Sequence, residues 1–157
     1  MIEHLFGGNG ACALTDGGRL LLPHFVLKSF SDSPAPHTLL LGCHEGDPCL
    51  VAYPKSFQAR LFADLERRRI LEEAVAPHAH HDRARRLFGY VEEVSVGADR
   101  SLVLPPFMRR RAGIGGLALC VGTGATFEIW DAERALAEGG SELRELAAWH
   151  LELNQAA

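Results

Sequence analysis

The sequence predicts an α+β fold made of two similar halves. Residues 14–23 read as a tight turn followed by a short strand, and a blurred copy of this pattern spans residues 97–106. Arg19 and Arg100, the arginines of the two copies, lie 81 residues apart in a chain of 157, as an internal duplication would produce. With 47% hydrophobic residues, the chain can bury a core in one compact domain or in two small halves that share one.

Strands, turns and one long helix are predicted in the first half. Apolar runs bounded by turn residues predict strands at 11–14, 19–22, 37–42 and 49–53. Asp16-Gly17-Gly18 between the first two runs supplies the conformational freedom of a hairpin turn. A short helical turn is expected at 24–30, loops are expected at 29–36 and 43–48, and apolar residues at every fourth position predict an amphipathic helix that begins after Pro54 and presents Phe57, Leu61 and Leu65.

The same order of elements recurs in the second half. Strands are predicted at 91–96, 102–104, 117–121 and 126–130, with a short basic helix at 107–111. Further helices are expected from near Asp82, after Asp131 as N-cap, and after Ser141, the last with an apolar stripe of Leu143, Leu146, His150 and Leu153. We therefore expect a first half over residues 1–75 and a second half over residues 76–157 that ends in a helix.

Composition narrows the possible class of protein. The start of the chain has no basic region followed by a long apolar run, and no segment approaches the length of a bilayer span; we therefore expect a cytoplasmic protein with no membrane partner. The four cysteines lack Cys-x-x-Cys spacing, which favours reduced thiols over a disulfide framework or a zinc site. The cysteines are Cys12, Cys43, Cys49 and Cys120.

The net charge of −4 weighs against nucleic-acid binding, because neutralisation of phosphates normally makes the largest favourable contribution to the free energy of binding. From Asp131 onward, however, the chain contains six acidic residues and only two arginines. This tail accounts for the whole excess, and residues 1–130 are neutral. Local arginine clusters on a neutral body can still form a basic surface.

Nothing in the sequence indicates an enzyme or a cofactor. His78, His80 and His81 beside Asp82 are possible zinc or nickel ligands, but adjacent side chains in a loop rarely converge, so a polar loop at a helix entry is favoured and no metal is expected. The glycines at 7–10 and 113–116 lack the lysine and serine of a phosphate-binding loop. No nucleophile is paired with a recognisable base.

Five segments together resemble the MraZ family of regulators of the bacterial division and cell-wall gene cluster. They occur in the order and at the spacing of that family: Gly-Arg-Leu-Leu-Leu-Pro at 18–23, Asp-Pro-Cys-Leu-Val-Ala-Tyr-Pro at 47–54, Arg-Arg-Leu-Phe-Gly-Tyr at 85–90, Leu-Pro-Pro-Phe-Met-Arg at 104–109 and Phe-Glu-Ile-Trp-Asp at 127–131. The resemblance implies two AbrB-like, barrel-like β units packed as a pseudo-symmetric pair with helices outside.

The resemblance also implies a function. Members of the family form homo-oligomeric rings and bind tandem repeats in promoter DNA upstream of their own operon, so we expect a DNA-binding transcriptional regulator associated with the nucleoid. The alternative is a ring-forming protein-interaction module whose DNA binding is weakened or lost. It is motivated by the acidic tail and by the damaged second copy of the motif.

The family signature in each half is Asp, three residues ending in Gly, and then Arg. In the first half Gly18 and Arg19 match, while the acid lies one place late, at Asp16. In the second half Asp99 replaces the glycine before Arg100; alignment from Pro106 instead gives Ser101 the arginine position. The first signature is therefore nearly intact and the second is not.

These residues, with a second basic cluster, are the candidate DNA contacts. They are Asp16, Gly18, Arg19, Arg100, Arg109, Arg110 and Arg111. Arg19 can offer a guanidinium fork to a guanine edge or a phosphate, or it can form a structural ion pair with Asp16. The charge of Arg100 is offset by Asp99, and the cluster 109–111 is open to three interpretations, as a DNA-backbone contact, a subunit contact or a solvated helix face.

Overall fold

The strands of the described chain belong to one antiparallel sheet. The structure is a computed structural model and describes residues 4–30, 34, 36–72 and 77–156. The strands are β1 (Asn9–Thr15), β2 (Arg19–Leu21), β3 (His37–Cys43), β4 (Leu50–Pro54), β5 (Glu92–Val96), β6 (Ser101–Val103), β7 (Leu117–Gly122) and β8 (Phe127–Asp131), in the sheet order β5-β3-β4-β8-β7-β1-β2-β6. The Gly97 amide donates to the Ser101 carbonyl (3.1 Å) between the two edge strands. The sheet is therefore a nearly closed barrel, and the predicted α+β, barrel-like fold class is confirmed.

Helices cover the ends and the outer face of this sheet. Within the described residues they are α1 (His24–Lys28), α2 (Gln58–Glu72), α3 (Pro77–Ala84), α4 (Pro106–Ala112), α5 (Ala132–Glu138) and α6 (Ser141–Ala156). As its spacing predicts, α2 follows Pro54, after a 3-10 turn at Lys55–Phe57, and buries Leu65. Asp131 caps α5 by accepting from the Arg134 amide (3.2 Å), also as predicted. None of these helices combines the length and the apolar character needed to cross a bilayer.

Two predictions about helices are wrong. The histidine cluster is part of α3, which begins at Pro77 and not near Asp82, and it continues into a π-helical turn at Arg85–Gly89. In α6, Leu153 is exposed, and Leu151 packs on the core in its place. The first error arises because polar residues such as His78 and His81 provide no apolar stripe, and the second because periodicity alone does not show which side of a helix meets the sheet. Half of the predicted loop at 29–36 and the predicted boundary at residue 75 lie outside the described residues.

Each half of the chain inserts strands beside strands of the other half. β1 pairs with β7, and in the same way β5 pairs with β3. Two further pairs, β2 with β6 and β4 with β8, join corresponding strands across the pseudo-two-fold axis. The two halves are therefore interlocked in one sheet.

The β2–β6 pairing decides which residues of the two copies correspond. Leu20 faces Leu102, Arg19 faces Val103 and Leu21 faces Ser101. The pairing is symmetric only if Arg19 corresponds to Ser101, a separation of 82 residues and not 81. Backbone bonds agree, since the Leu104 amide donates to Gly18 O (2.8 Å) and the Leu22 amide to Arg100 O (2.9 Å). Arg100 therefore corresponds to Gly18, and the alignment from Pro106 is the right one.

The core has two parts, one on each face of the sheet. Inside the barrel, Leu39 and Leu41 of β3 pack with Leu20 and Leu102, while Val26 of α1 and Met108 of α4 close the core. On the outer face, Trp130 and Leu119 pack against alanines of α5 and α6. Because both faces of its central strands are covered, the chain contains continuous apolar runs and not a simple alternation.

Leu20→Ala is expected to lower the free energy of unfolding by about 2–5 kcal/mol, because it leaves a cavity where the two halves meet. Leu20 is fully buried, whereas the neighbouring Leu21 is 58% exposed. Leu21→Ala is the matched control and should change stability by no more than about 0.5 kcal/mol. Urea unfolding at one fixed protein concentration measures both. Equal losses of stability in the two variants would contradict the structural assignment of the core face.

Candidate nucleic-acid interface

The first turn places Arg19 on the surface at the start of β2. Gly17 and Gly18 have φ of 81° and 83°, a left-handed conformation that glycine adopts without the Cβ penalty. The turn closes with the Gly18 amide donating to Thr15 O (3.1 Å), and the Thr15 hydroxyl donates to Arg19 O (3.2 Å). The side chain of Arg19 is consequently half exposed, at 52%, on the outer face of the β2–β6 ribbon.

Arg19 contacts the second turn, which belongs to the other half. Its Nη1 donates to Ser101 Oγ (2.8 Å) and lies 3.4 Å from Asp99 Oδ2. The Ser101 hydroxyl in turn donates to Asp99 Oδ2 (2.8 Å), and the Ser101 amide donates to Asp99 Oδ1 (3.2 Å). Asp99, and not the neighbouring Asp16 considered from the sequence, is therefore the carboxylate beside Arg19.

The hydrogen bonds from Ser101 favour the ionised form of Asp99. The Ser101 hydroxyl, then the Ser101 amide, and to a smaller extent the charge of Arg19, hold the pKa of the Asp99 carboxyl below its ordinary value of 3.8. Each of these groups favours the carboxylate over the neutral acid. Asp99 is accordingly ionised at neutral pH.

Arg100 is at the tip of the second turn in an unusual backbone conformation. Its φ is 68°, in the left-handed region that non-glycine residues seldom adopt. The turn is closed by the Arg100 amide donating to Gly97 O (3.0 Å). The side chain is exposed, and no carboxylate of the described residues lies within ion-pair distance of its guanidinium.

The basic cluster of α4 lies beside the first turn. The Arg109 side chain packs next to Gly18 and its Nε donates to Ile114 O (3.3 Å), so Arg109 also holds the chain after α4 in place. Arg109 and Arg110 line a shallow depression together with Gly17. The guanidinium of Arg111 stacks over Tyr90 at 4.9 Å.

Five of the seven candidate contacts lie around the first turn, namely Asp16, Gly18 and Arg19 of the turn itself and Arg109 and Arg110 of α4. Arg100 is at the tip of the second turn, and Arg111, the third arginine of α4, stacks over Tyr90. No carboxylate of the described residues pairs with the three arginines of α4. The surface is thus locally basic although the chain has a net negative charge. It combines the guanidinium of Arg19, which is hydrogen-bonded to Ser101, with arginines that pair with no carboxylate of the described residues.

The histidine cluster does not assemble a metal site. In α3, His80 and His81 have their ring centroids 5.3 Å apart. Within the described residues, no group of three or more metal-ligating side chains converges. The four cysteines are all free thiols, and Cys49, directly before β4, is buried.

Curated relatives match most of the chain, although no protein-family model does. A protein named transcriptional regulator MraZ from Saccharophagus degradans is 26% identical over 130 residues, 82% of this chain and 84% of the relative. Proteins of the same name from Dehalococcoides mccartyi and Coxiella burnetii are 29% identical over 129 residues and 27% identical over 127 residues. They cover 82% and 80% of this chain, and 84% and 79% of the relatives.

The chain is similar to MraZ regulators over most of its length, which supports its assignment to the MraZ family. Its second turn departs from the family signature in a way that the sequence alone does not explain. Asp99 and Ser101 are not among the residues that the sequence predicts for the site, yet both contact Arg19. The alignment from Pro106 contains the signal, because it places Ser101 at the position that Arg19 occupies in the other half.

The pKa of Asp99 provides a test of this arrangement. Because it is lower in the folded than in the unfolded protein, the ionised group stabilises the fold above pH 3.8, and this contribution is lost as the pH falls through the folded value. Ser101→Ala should raise the Asp99 pKa more than Arg19→Gln does, since the Ser101 hydroxyl is the larger cause. An NMR titration of the Asp99 carboxyl measures both shifts. The reverse order would contradict the assignment of causes.

Proposed function

We propose that this protein is a sequence-specific, DNA-binding transcriptional regulator that uses the outer face of the β2–β6 ribbon. The observation that supports this most is the exposed guanidinium of Arg19, held at one nitrogen by Ser101 (2.8 Å). Nε and Nη2 of Arg19 make no hydrogen bond with the residues described. A guanidinium edge of this kind matches the O6 and N7 acceptors of guanine in the major groove.

The remaining arginines supply contacts that do not depend on sequence. Arg110 extends from α4 beside the first turn, Arg111 follows it on α4 and stacks over Tyr90, and Arg100 extends from the second turn. Cations placed around a base-reading side chain fix the register on the duplex through phosphate oxygens. We assign Arg19 to base recognition and these arginines to the backbone.

A ring of subunits on tandem promoter repeats would make such a small surface sufficient. When one subunit is bound, the contacts of the next subunits become effectively intramolecular, and the total affinity rises although each subunit binds as before. Exposed apolar side chains on two helices are candidates for subunit contacts: Phe62, Ile70 and Leu71 of α2, and Trp149 and Leu153 of α6. The names of the relatives support a transcriptional regulator. We further propose that it acts in the cytoplasm on nucleoid DNA, at the division and cell-wall gene cluster, and not as an enzyme.

Arg19→Ala is expected to abolish specific binding to DNA from upstream of the protein's own gene while leaving the oligomer intact. Removal of one bidentate base interaction costs roughly 1–3 kcal/mol per subunit, and this cost repeats in each engaged subunit. Gel shift measures binding, and light scattering measures the mass of the oligomer.

Arg144→Ala is the matched control, since it removes one exposed cation from α6, outside the ribbon. It should leave binding nearly unchanged. If Arg19→Ala binds as well as the wild type, Arg19 is not in the site. If the wild-type oligomer does not bind this DNA even in low salt, the proposed function is wrong.

Arg110→Gln is expected to weaken binding equally on repeat DNA and on shuffled DNA. It should also reduce the slope of log affinity against log salt by about one for each phosphate that is no longer neutralised. Binding at several salt concentrations measures the slope. A change in sequence preference with an unchanged slope would instead assign Arg110 to a base edge.

A second candidate is a ring-forming protein-interaction module with weakened DNA binding. It is favoured by one observation, the serine at the position that corresponds to Arg19 in the second half. The gel shift described above separates the two functions, because this module would form the oligomer without retaining DNA.

A further inference from the structure

We propose that the second turn has become a support for Arg19, and that Ser101 is a positioning residue for DNA recognition. This inference rests on the function proposed above and concerns the same surface. It assigns a role to Asp99 and Ser101, two of the residues by which the second copy of the motif departs from the first. The second turn on this view is specialised and not merely degenerate.

The correspondence of the two halves shows what has changed. Arg19 corresponds to Ser101, and by the same register Gly17 corresponds to Asp99. In the second half these two positions therefore carry a hydroxyl and a carboxylate where the first half has an arginine and a glycine. Both replacements contact Arg19, at 2.8 Å and 3.4 Å.

The hydrogen bonds of Ser101 allow it to position the side chain of Arg19. Its hydroxyl accepts from Arg19 Nη1 and donates to Asp99 Oδ2, so its one proton and one of its lone pairs have defined partners. Ser101 is only 5% exposed, and its backbone is fixed opposite Leu21 in the β2–β6 ladder. The group that holds Arg19 is thus itself held by the sheet.

A held guanidinium discriminates between bases better than a free one. An arginine side chain has many rotamers, and ordering it on binding opposes association. The contact at Nη1 restricts the Arg19 side chain before DNA binds, and it leaves the opposite edge of the guanidinium available for a base. The expected consequence is one oriented base contact per subunit.

The experiment is a double-mutant cycle on discrimination, with Ser101→Ala, Arg19→Lys and the double variant. Discrimination is the ratio of the dissociation constants for shuffled DNA and for DNA from upstream of the protein's own gene. Lysine keeps the charge of Arg19 but lacks its planar fork. Ser95→Ala, an exposed serine on β5, is the matched control, and urea unfolding and light scattering verify that each variant is folded and assembled.

Ser101→Ala should reduce discrimination by about 3–10-fold, the usual effect of one hydrogen bond, with the salt slope unchanged because no cation is removed. In the Arg19→Lys background, the same substitution should change discrimination less than about twofold. Ser95→Ala should leave it unchanged.

Two results would overturn the inference alone: a Ser101→Ala variant that discriminates like the wild type, or an equal reduction in both backgrounds, which would mean that Ser101 acts other than through Arg19. A wild-type protein that does not prefer the repeat DNA would instead defeat the proposed function. The two failures are thereby distinguished, because only the second involves the wild type.

Discussion

Leu20 and Leu102 face each other across the β2–β6 ribbon, and the two halves of the sheet meet at this contact. Antiparallel pairing fixes which residues share a face, and a slip by one residue would exchange the buried and exposed faces of a strand. With both leucines inside the barrel, Arg19 and Ser101 must share the outer face. The burial of two apolar side chains therefore determines where the guanidinium lies and which hydroxyl it meets.

Corresponding residues of the two halves are separated by a different number of residues in each strand pair. Corresponding residues are 82 apart in β2 and β6, but 77 apart in β4 and β8, where Val51 corresponds to Glu128. The difference arises in the connections, which are longer in the first half between α1 and β3 and between β3 and β4. Loops tolerate such length changes at little cost, whereas paired strands do not, so the barrel keeps its register while the sequence separation drifts.

The change in sequence separation from one strand pair to the next explains which features can be predicted from the sequence. Periodicity and turn residues locate the strands and α2, because those signals lie within a few adjacent residues. The partner of Arg19 is 80 residues away along the chain, and only the strand register shows that Asp99 and not Asp16 reaches it. The start of α3 at Pro77 escapes prediction for a different reason, since a helix of polar residues such as His78 and His81 lacks an apolar stripe.

The acidic character of the chain and its basic ribbon are compatible because they lie on different elements. Five of the six acids of the tail are on α5 and α6, which pack on the outer face of β7 and β8, and the sixth, Asp131, ends β8. The candidate arginines are on α4 and the two turns. The net charge of the whole chain therefore does not decide the sign of the charge at the ribbon. In an assembly of several subunits, one oriented arginine per subunit would be repeated along the DNA. The lack of an arginine at the Ser101 position would then matter less for DNA recognition than disorder of Arg19.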